Sequence, residues 1–207
     1  MSNFFTPDAF LEVLLAISLS AAAGFRVFVP LLALSAFSVV GQIDLPANFD
    51  WIENNQALLV FAIASLLEVA GYYVPWLDHA IDVVATPAAV IAGTVVSASL
   101  APDMDPVAKW TLALAAGGGT AGVTKGFMNL VRTASTVLSG GLSNPVLATL
   151  ELVLAIALSV LAITVPVVAG IAVIGLFIFA IAKARQLLMR MRAQKAPAAE
   201  DVSQDAV

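Results

Sequence analysis

Runs without a charged residue recur along the chain, at Val27–Ile43, Asn54–Leu67, Val83–Pro102, Ala134–Leu150 and Leu152–Ala182. A helix needs about 20 mostly apolar residues to cross the hydrocarbon of a bilayer, so runs on this scale predict membrane spans. From Val146 to Ala182 the apolar stretch would measure about 55 Å as one helix, against a core of about 30 Å. Pro166 and Gly170 mark a turn that divides it. The pattern predicts an all-α, polytopic membrane protein of about six hydrophobic segments, at 7–40, 55–74, 79–101, 106–139, 145–164 and 167–188.

Several starts carry a capping oxygen before a proline at the first helical position: Thr6-Pro7, Asp105-Pro106 and Asn144-Pro145. Asp78 is a candidate cap for the third segment. Basic residues gather after the last segment, at Lys183, Arg185, Arg190, Arg192 and Lys195, whereas the connections 41–54 and 102–105 hold Asp44, Asp50, Glu53 and Asp103 and no base. The positive-inside bias then puts the C-terminus in the cytoplasm, and six passes put the N-terminus there too. The expected organisation is one transmembrane domain over 1–195 and a disordered, solvated tail at 196–207, rich in Ala, Pro, Glu, Asp, Ser and Gln. The start Met1-Ser2-Asn3-Phe4-Phe5-Thr6-Pro7-Asp8 lacks a positive n-region, which predicts that no signal peptide is removed.

The two halves resemble one another. Thr6-Pro7-Asp8-Ala9 matches Asp105-Pro106-Val107-Ala108, and Ala23-Gly24 followed by Arg26 matches Ala121-Gly122 followed by Lys125. Leu67-Glu68 matches Leu150-Glu151, and Thr86-Pro87-Ala88-Ala89 matches Val165-Pro166-Val167-Val168. This predicts a repeat over about 6–101 and 105–188, and three spans per half make the second copy inverted, a plan that recurs among transporters and channels. The first segment of each half is long, about 51 Å as straight helix, and is interrupted by small residues: SLSAAAG at 18–24 and ALAAGGGTAG at 113–122. Each run is compatible with one closely packed span, with a broken helix or with a re-entrant hairpin.

Ionisable groups inside a span are costly and therefore informative. The candidates are Arg26, Lys125 and Arg132 among the bases and Glu68, Asp82 and Glu151 among the acids. Lys125 and Arg132, seven apart, share a helical face. If the helices restart after the glycine-containing runs, free backbone N–H groups join Arg26 and Lys125 in a site for a small anionic solute or a lipid headgroup. Glu68 and Glu151 would then be counter-charges or proton carriers. The alternative is that each acid pairs with a base to hold helices in register, or that Arg26 and Arg132 snorkel to an interface. Asp78, His79 and Asp82 bring metal-ligand residue types together, yet one histidine with two carboxylates suits a helix cap better than a metal, and no metal or cofactor is expected. Trp51, Trp76 and Trp110 fall near segment ends as interfacial anchors.

Composition agrees. Of 207 residues 61% are hydrophobic and 11% charged, where a soluble domain carries about 25% charged residues. The net charge of −5 offers no basic footprint for nucleic acid. With no cysteine there is no disulfide or thiolate site, and no GxSxG, HExxH or phosphate-cradling loop occurs, so enzymatic activity is not expected.

The stretch Ser20-Ala21-Ala22-Ala23-Gly24-Phe25-Arg26-Val27-Phe28-Val29-Pro30-Leu31-Leu32-Ala33-Leu34 resembles a family of small bacterial multi-span membrane proteins known only as a domain of unknown function. The likeness continues through Glu68, Pro75, Asp78, Asp82, Thr86-Pro87 and Ala92-Gly93 and covers about Leu11 to Lys183. It implies a protein of the bacterial plasma membrane without an assigned activity. This chain departs from the family in carrying Tyr72-Tyr73 where members tend to have Asp-Lys, and Ala89 where they tend to have Arg. Two functional expectations follow: a small transporter or channel acting through the six in-span ions, or a non-transporting scaffold that binds a second copy of itself through its Gly/Ala faces.

Overall fold

A computed structural model describes residues 7–101, 104–140 and 142–195, all helix or loop, with no strand among them. The side chains of Pro75–His79, the Thr6 cap and the tail at 196–207 lie outside the described residues. The helices are α1 (Pro7–Phe25), α2 (Phe28–Val39), α3 (Asn55–Tyr72), α4 (Pro75–Ser99), α5 (Pro106–Leu112), α6 (Gly119–Ser139), α7 (Asn144–Thr164) and α8 (Pro166–Lys195). A 3-10 helix, Ala47–Ile52, precedes α3, and a π-helical turn, Ala113–Gly118, joins α5 to α6 without a break. Among the described residues, four helical stretches are long and apolar enough to cross a membrane: Asn55–Tyr72, Ala80–Ser99, Asn144–Thr164 and Pro166–Lys183. Phe10–Phe25 and Phe28–Val39 are shorter apolar helices. Large apolar side chains such as Leu66, Leu67, Val83, Ile91 and Val153 stand exposed on these helices, a surface that suits hydrocarbon rather than water.

The segment 7–40 is two helices. Its helical assignment is interrupted at Arg26 and Val27, two residues after the small-residue run rather than inside it. Ser35 Oγ of α2 donates to Ile52 O at 2.6 Å, beside the start of α3. Glu12 and Leu15 of α1 share a cleft with Ile43–Pro46 and the end of α4. The start of α1 and the end of α2 thus lie at the same end of the bundle, and the pair forms a hairpin with its tip at Arg26. At 12 residues, α2 is about 18 Å long and stops short of a full crossing. Two legs stand where the even count of six assumed one pass.

The second long segment, 106–139, behaves differently. It keeps helical hydrogen bonding throughout, widened over Ala113–Gly118 into the π turn. The small residues serve close approach. A Cβ on Gly117 would collide with Gly93 O and the Ser97 side chain, and one on Gly93 would lie 2.7 Å from both Gly117 O and Ala121 Cβ. Between α1 and α6, a Cβ on Gly24 would lie 2.6 Å from Ala121 O. Leu19, Ala23, Ala89, Val96, Ala113 and Ala121 form the core around these contacts. Thus segment 7–40 turns back on itself, whereas segment 106–139 runs on through a π turn.

Local signals explain most helix ends. Asp105 Oδ2 accepts from Val107 N and Ala108 N, and Asn54 Oδ1 caps α3 by accepting from Ala57 N at 2.7 Å. Two expected caps are corrected. Asn144 is the first residue of α7 and its Oδ1 accepts from Thr136 Oγ1 instead, while α4 begins at Pro75, which places Asp78 within the helix. Gly140, at φ +63°, terminates α6 in the left-handed conformation that glycine adopts readily. The chain through Ile171 forms one compact unit, and a second begins at Ala172. In the latter α8 runs on to Lys195, with Lys183 Nζ 5.8 Å from the centre of the Phe179 ring one turn back.

Candidate functional site

Four helices bring ionisable side chains to the tip of the α1–α2 hairpin. Glu68 and Tyr72 occupy successive turns of one face of α3; Lys125 and Arg132 do the same two turns apart on α6. Asp82 comes from α4 and Glu151 from α7. Arg26 is fully buried, as is Glu151, and Lys125 and Arg132 are nearly so. Asp82 is the most open member, its side chain 21% exposed.

The pairing is extensive. Arg132 Nη2 donates to Glu151 Oε2 at 2.6 Å, and its Nε lies 3.4 Å from Asp82 Oδ2. Lys125 Nζ donates to Asp82 Oδ1 and to the Tyr72 hydroxyl, both at 3.1 Å, and that hydroxyl in turn donates to Asp82 Oδ1 at 3.1 Å. Arg26 Nη2 donates to Ala148 O at 2.7 Å and lies 3.8 Å from Glu151 Oε2. The Tyr72 ring is the shared wall: Arg26 Cζ is 4.0 Å from its centroid, Arg132 Cζ 4.7 Å and Lys125 Nζ 5.5 Å. Each cation thereby gains attraction from the ring quadrupole as well as from a carboxylate. Asn129 Nδ2 continues the polar layer by donating to Thr86 Oγ1 at 3.1 Å.

Glu68 does something else. Its Oε1 accepts from Val27 N at 2.8 Å and its Oε2 from Phe28 N at 3.1 Å. Those are the freed amides at the start of α2, where the helix dipole favours an anion. The anion seat read from the sequence at this restart is thus filled by the protein's own carboxylate.

All six ions singled out in the sequence therefore meet around one tyrosine. Glu151 serves Arg132 and Arg26, Lys125 turns to Asp82, and Glu68 binds backbone. Neither Arg26 nor Arg132 reaches an interface. Formally three bases face three acids. Yet Arg26 Nε and Nη1, and Glu151 Oε1, are buried with no hydrogen-bond partner among the described residues. Of the expected Asp78–His79–Asp82 trio only Asp82 has a described side chain, and the described residues contain no group of three metal-ligating side chains.

Residues 13–186 match the model of the domain of unknown function DUF4126. The chain belongs to that family. The assignment agrees with the likeness carried by Ser20–Leu34 and the residues after it. No curated protein and no solved structure matches the chain.

Sequence reasoning passed over two residues. Tyr72 stands out in the sequence only as a departure from the family, although its place four residues after Glu68 puts both on one face of α3. Lys109, in the first turn of segment 106–139, was not counted among the in-span ions; it is buried at the far end of the bundle, its Nζ 5.3 Å from the centre of the Phe49 ring.

Proposed function

We propose that the protein is a small transporter that moves a small anion together with a proton through the ion network around Tyr72. The observation that carries this reading is the pair of unpartnered donors, Nε and Nη1, on the fully buried Arg26 at the α1–α2 break. A buried guanidinium in hydrocarbon is costly, and spare donors on it are the chemistry an anion takes up. Charge balance supplies the coupling. With three bases and three acids ionised the cluster is neutral, so a monovalent anion entering it leaves an uncompensated buried charge unless a proton enters too. The unpartnered Glu151 Oε1 is the acceptor for that proton. Asp82, the least buried member, is the route inward. The occluded position favours a small inorganic or carboxylate anion over a two-chain lipid headgroup. The bilayer is bacterial and the basic end of α8 faces the cytoplasm in this reading, as the charge bias suggests.

The test is flux in reconstituted liposomes loaded with a pH-sensitive dye. An imposed gradient of chloride, nitrate, phosphate or a small carboxylate should drive proton movement in the wild type. Arg26→Gln should abolish it, and Glu151→Gln should leave residual anion flux without proton movement. No proton movement with any of these anions would sink the reading.

The second reading is a scaffold in which the ion network only fixes helix positions. It is favoured by the completeness of the pairing, since every one of the three acids already has a base or a backbone amide. It predicts that Arg26→Gln changes stability and nothing else.

A further inference from the structure

At the opposite end of the bundle from the ion network lies a cleft of about 290 Å³ between the 3-10 helix and α5. Asn48, Phe49, Trp51, Met104, Lys109 and Trp110 line it. We propose that this cleft binds the headgroup of a zwitterionic phospholipid, its phosphate on Lys109 and its ammonium toward the acidic rim.

Four observations converge. Lys109 is nine-tenths buried, and among the described residues no carboxylate or carbonyl pairs with its ammonium; its recorded neighbour is the Phe49 ring, 5.3 Å away. An ammonium at the end of a buried side chain, with only a ring beside it, retains the donors that a phosphate oxygen accepts. The walls are the amphipathic aromatics that settle at headgroup depth: Trp51 and Trp110 are half exposed, and Phe49 and Trp110 pack with centroids 6.4 Å apart. Exposed acids flank the lining in sequence: Asp50 lies between Phe49 and Trp51, and Asp105, whose Oδ2 caps α5, precedes Pro106, which gives the cleft's surroundings an acidic rim in this proposal. A purely anionic headgroup would meet that rim as a like charge, whereas an ethanolamine headgroup places phosphate and ammonium against opposite charges. Finally, Met104 is also a wall of a second, almost wholly apolar cleft of about 160 Å³ bordered by α1, α4 and the π turn, which offers acyl carbon a place beside the polar one.

The inference is independent of transport, since it concerns neither Arg26 nor any other member of the ion network. Native mass spectrometry of the full chain released from detergent, titrated with lipids of matched acyl chains, reads it directly. Phosphatidylethanolamine should bind about ten-fold more tightly than diacylglycerol, which lacks the phosphate, and more tightly than phosphatidylglycerol, which lacks the ammonium. Lys109→Gln should remove the preference over diacylglycerol, and Lys109→Arg should restore it. Asp50→Asn with Asp105→Asn should remove the preference over phosphatidylglycerol alone. A thermal melt of each variant separates lost binding from lost folding. Equal binding of phosphatidylethanolamine and diacylglycerol, or an unchanged preference in a folded Lys109→Gln, would overturn the site. Competition by millimolar inorganic phosphate as strong as that of the lipid would make it a phosphate site and overturn the lipid assignment.

Discussion

Glu68 Oε1 lies 2.8 Å from the amide nitrogen of Val27, so a carboxylate from α3 caps a helix that begins 40 residues earlier in the chain. The second oxygen takes Phe28 N, and between them they satisfy two of the donors that α2 exposes where the hairpin turns. A helix end in a low-dielectric surrounding needs such a partner, and here it comes from tertiary structure rather than from a local capping residue, since Val27 offers no side-chain acceptor.

Glu68→Ala should therefore destabilise the start of α2 by about 1–3 kcal/mol, the range for removing a charge-assisted cap. Amide hydrogen exchange in detergent should accelerate from Val27 through about Leu31 while α4 and α7 stay protected. Glu68→Gln keeps one carbonyl acceptor and should show roughly half the effect. Unchanged protection of Val27 and Phe28 in the alanine variant would show that their donors are satisfied elsewhere.

Tyr72 makes two separable contributions. Its hydroxyl links Lys125 to Asp82, and its ring lies against Arg26, Arg132 and Lys125. Tyr72→Phe removes the first and should cost about 1 kcal/mol, because Lys125 and Asp82 still meet directly. Tyr72→Leu removes both and should cost a further 1–2 kcal/mol or so as three buried cations lose an aromatic face. Thermal melting in detergent measures the order; equal effects of the two substitutions would deny the ring any role beyond filling space.

How far the sequence carries follows from what each signal measures. Segment ends at 106–139 and 145–164 reproduce 106–139 and Asn144–Thr164 because proline, capping residues and charge-free length are local properties. The placement of Arg26, Lys125, Arg132 and Glu151 within apolar segments is legible for the same reason, whereas their burial is not, because the sequence leaves Arg26 and Arg132 free to snorkel to an interface. The hairpin at Arg26 was one of several options because SLSAAAG carries no proline or charge to choose between packing and turning. Partner choice was not legible at all. Glu151 finds Arg132 across a tight α6–α7 turn and Glu68 finds backbone, and both depend on how α1 threads among α4, α6 and α7. The Asp105 and Asn144 caps look alike in sequence, yet only Asp105 caps, because Thr136 draws the Asn144 side chain away.

The glycines divide into two classes with opposite expectations. Gly93 and Gly117 sit where α4 meets the π turn with no room for a methyl group. Gly93→Ala or Gly117→Ala should cost about 1–3 kcal/mol or more through backbone displacement. Gly119 and Gly126 of α6 have open space around the position of a Cβ, so alanine there should be neutral or stabilising by up to about 1 kcal/mol from helix propensity. Chemical denaturation of the four single variants checks the contrast. Destabilisation confined to Gly119 and Gly126 would mean that these surfaces, rather than the internal ones, are the packed faces, as self-association through them requires.

The strongest test of the network is a double-mutant cycle on Arg132 and Glu151, whose side chains meet at 2.6 Å. Removing one member leaves a charge stranded in a buried site, for which about 3–5 kcal/mol is the usual penalty. Glu151→Leu should be the worse single change, because it deprives Arg26 of its carboxylate and Arg132 of the closer of its two. Arg132→Met leaves Glu151 with Arg26 and leaves Asp82 with Lys125, so its cost should fall at the low end of that range. The double variant should be less destabilised than the sum of the two by about 1–3 kcal/mol, since neither stranded charge of the direct pair remains. It should still fall short of wild type, because Arg26 keeps the Ala148 carbonyl and the Tyr72 ring but no carboxylate. Additive single effects in reversible denaturation would mean that the two side chains are energetically independent despite their contact, and that solvent rather than the partner charge stabilises each of them.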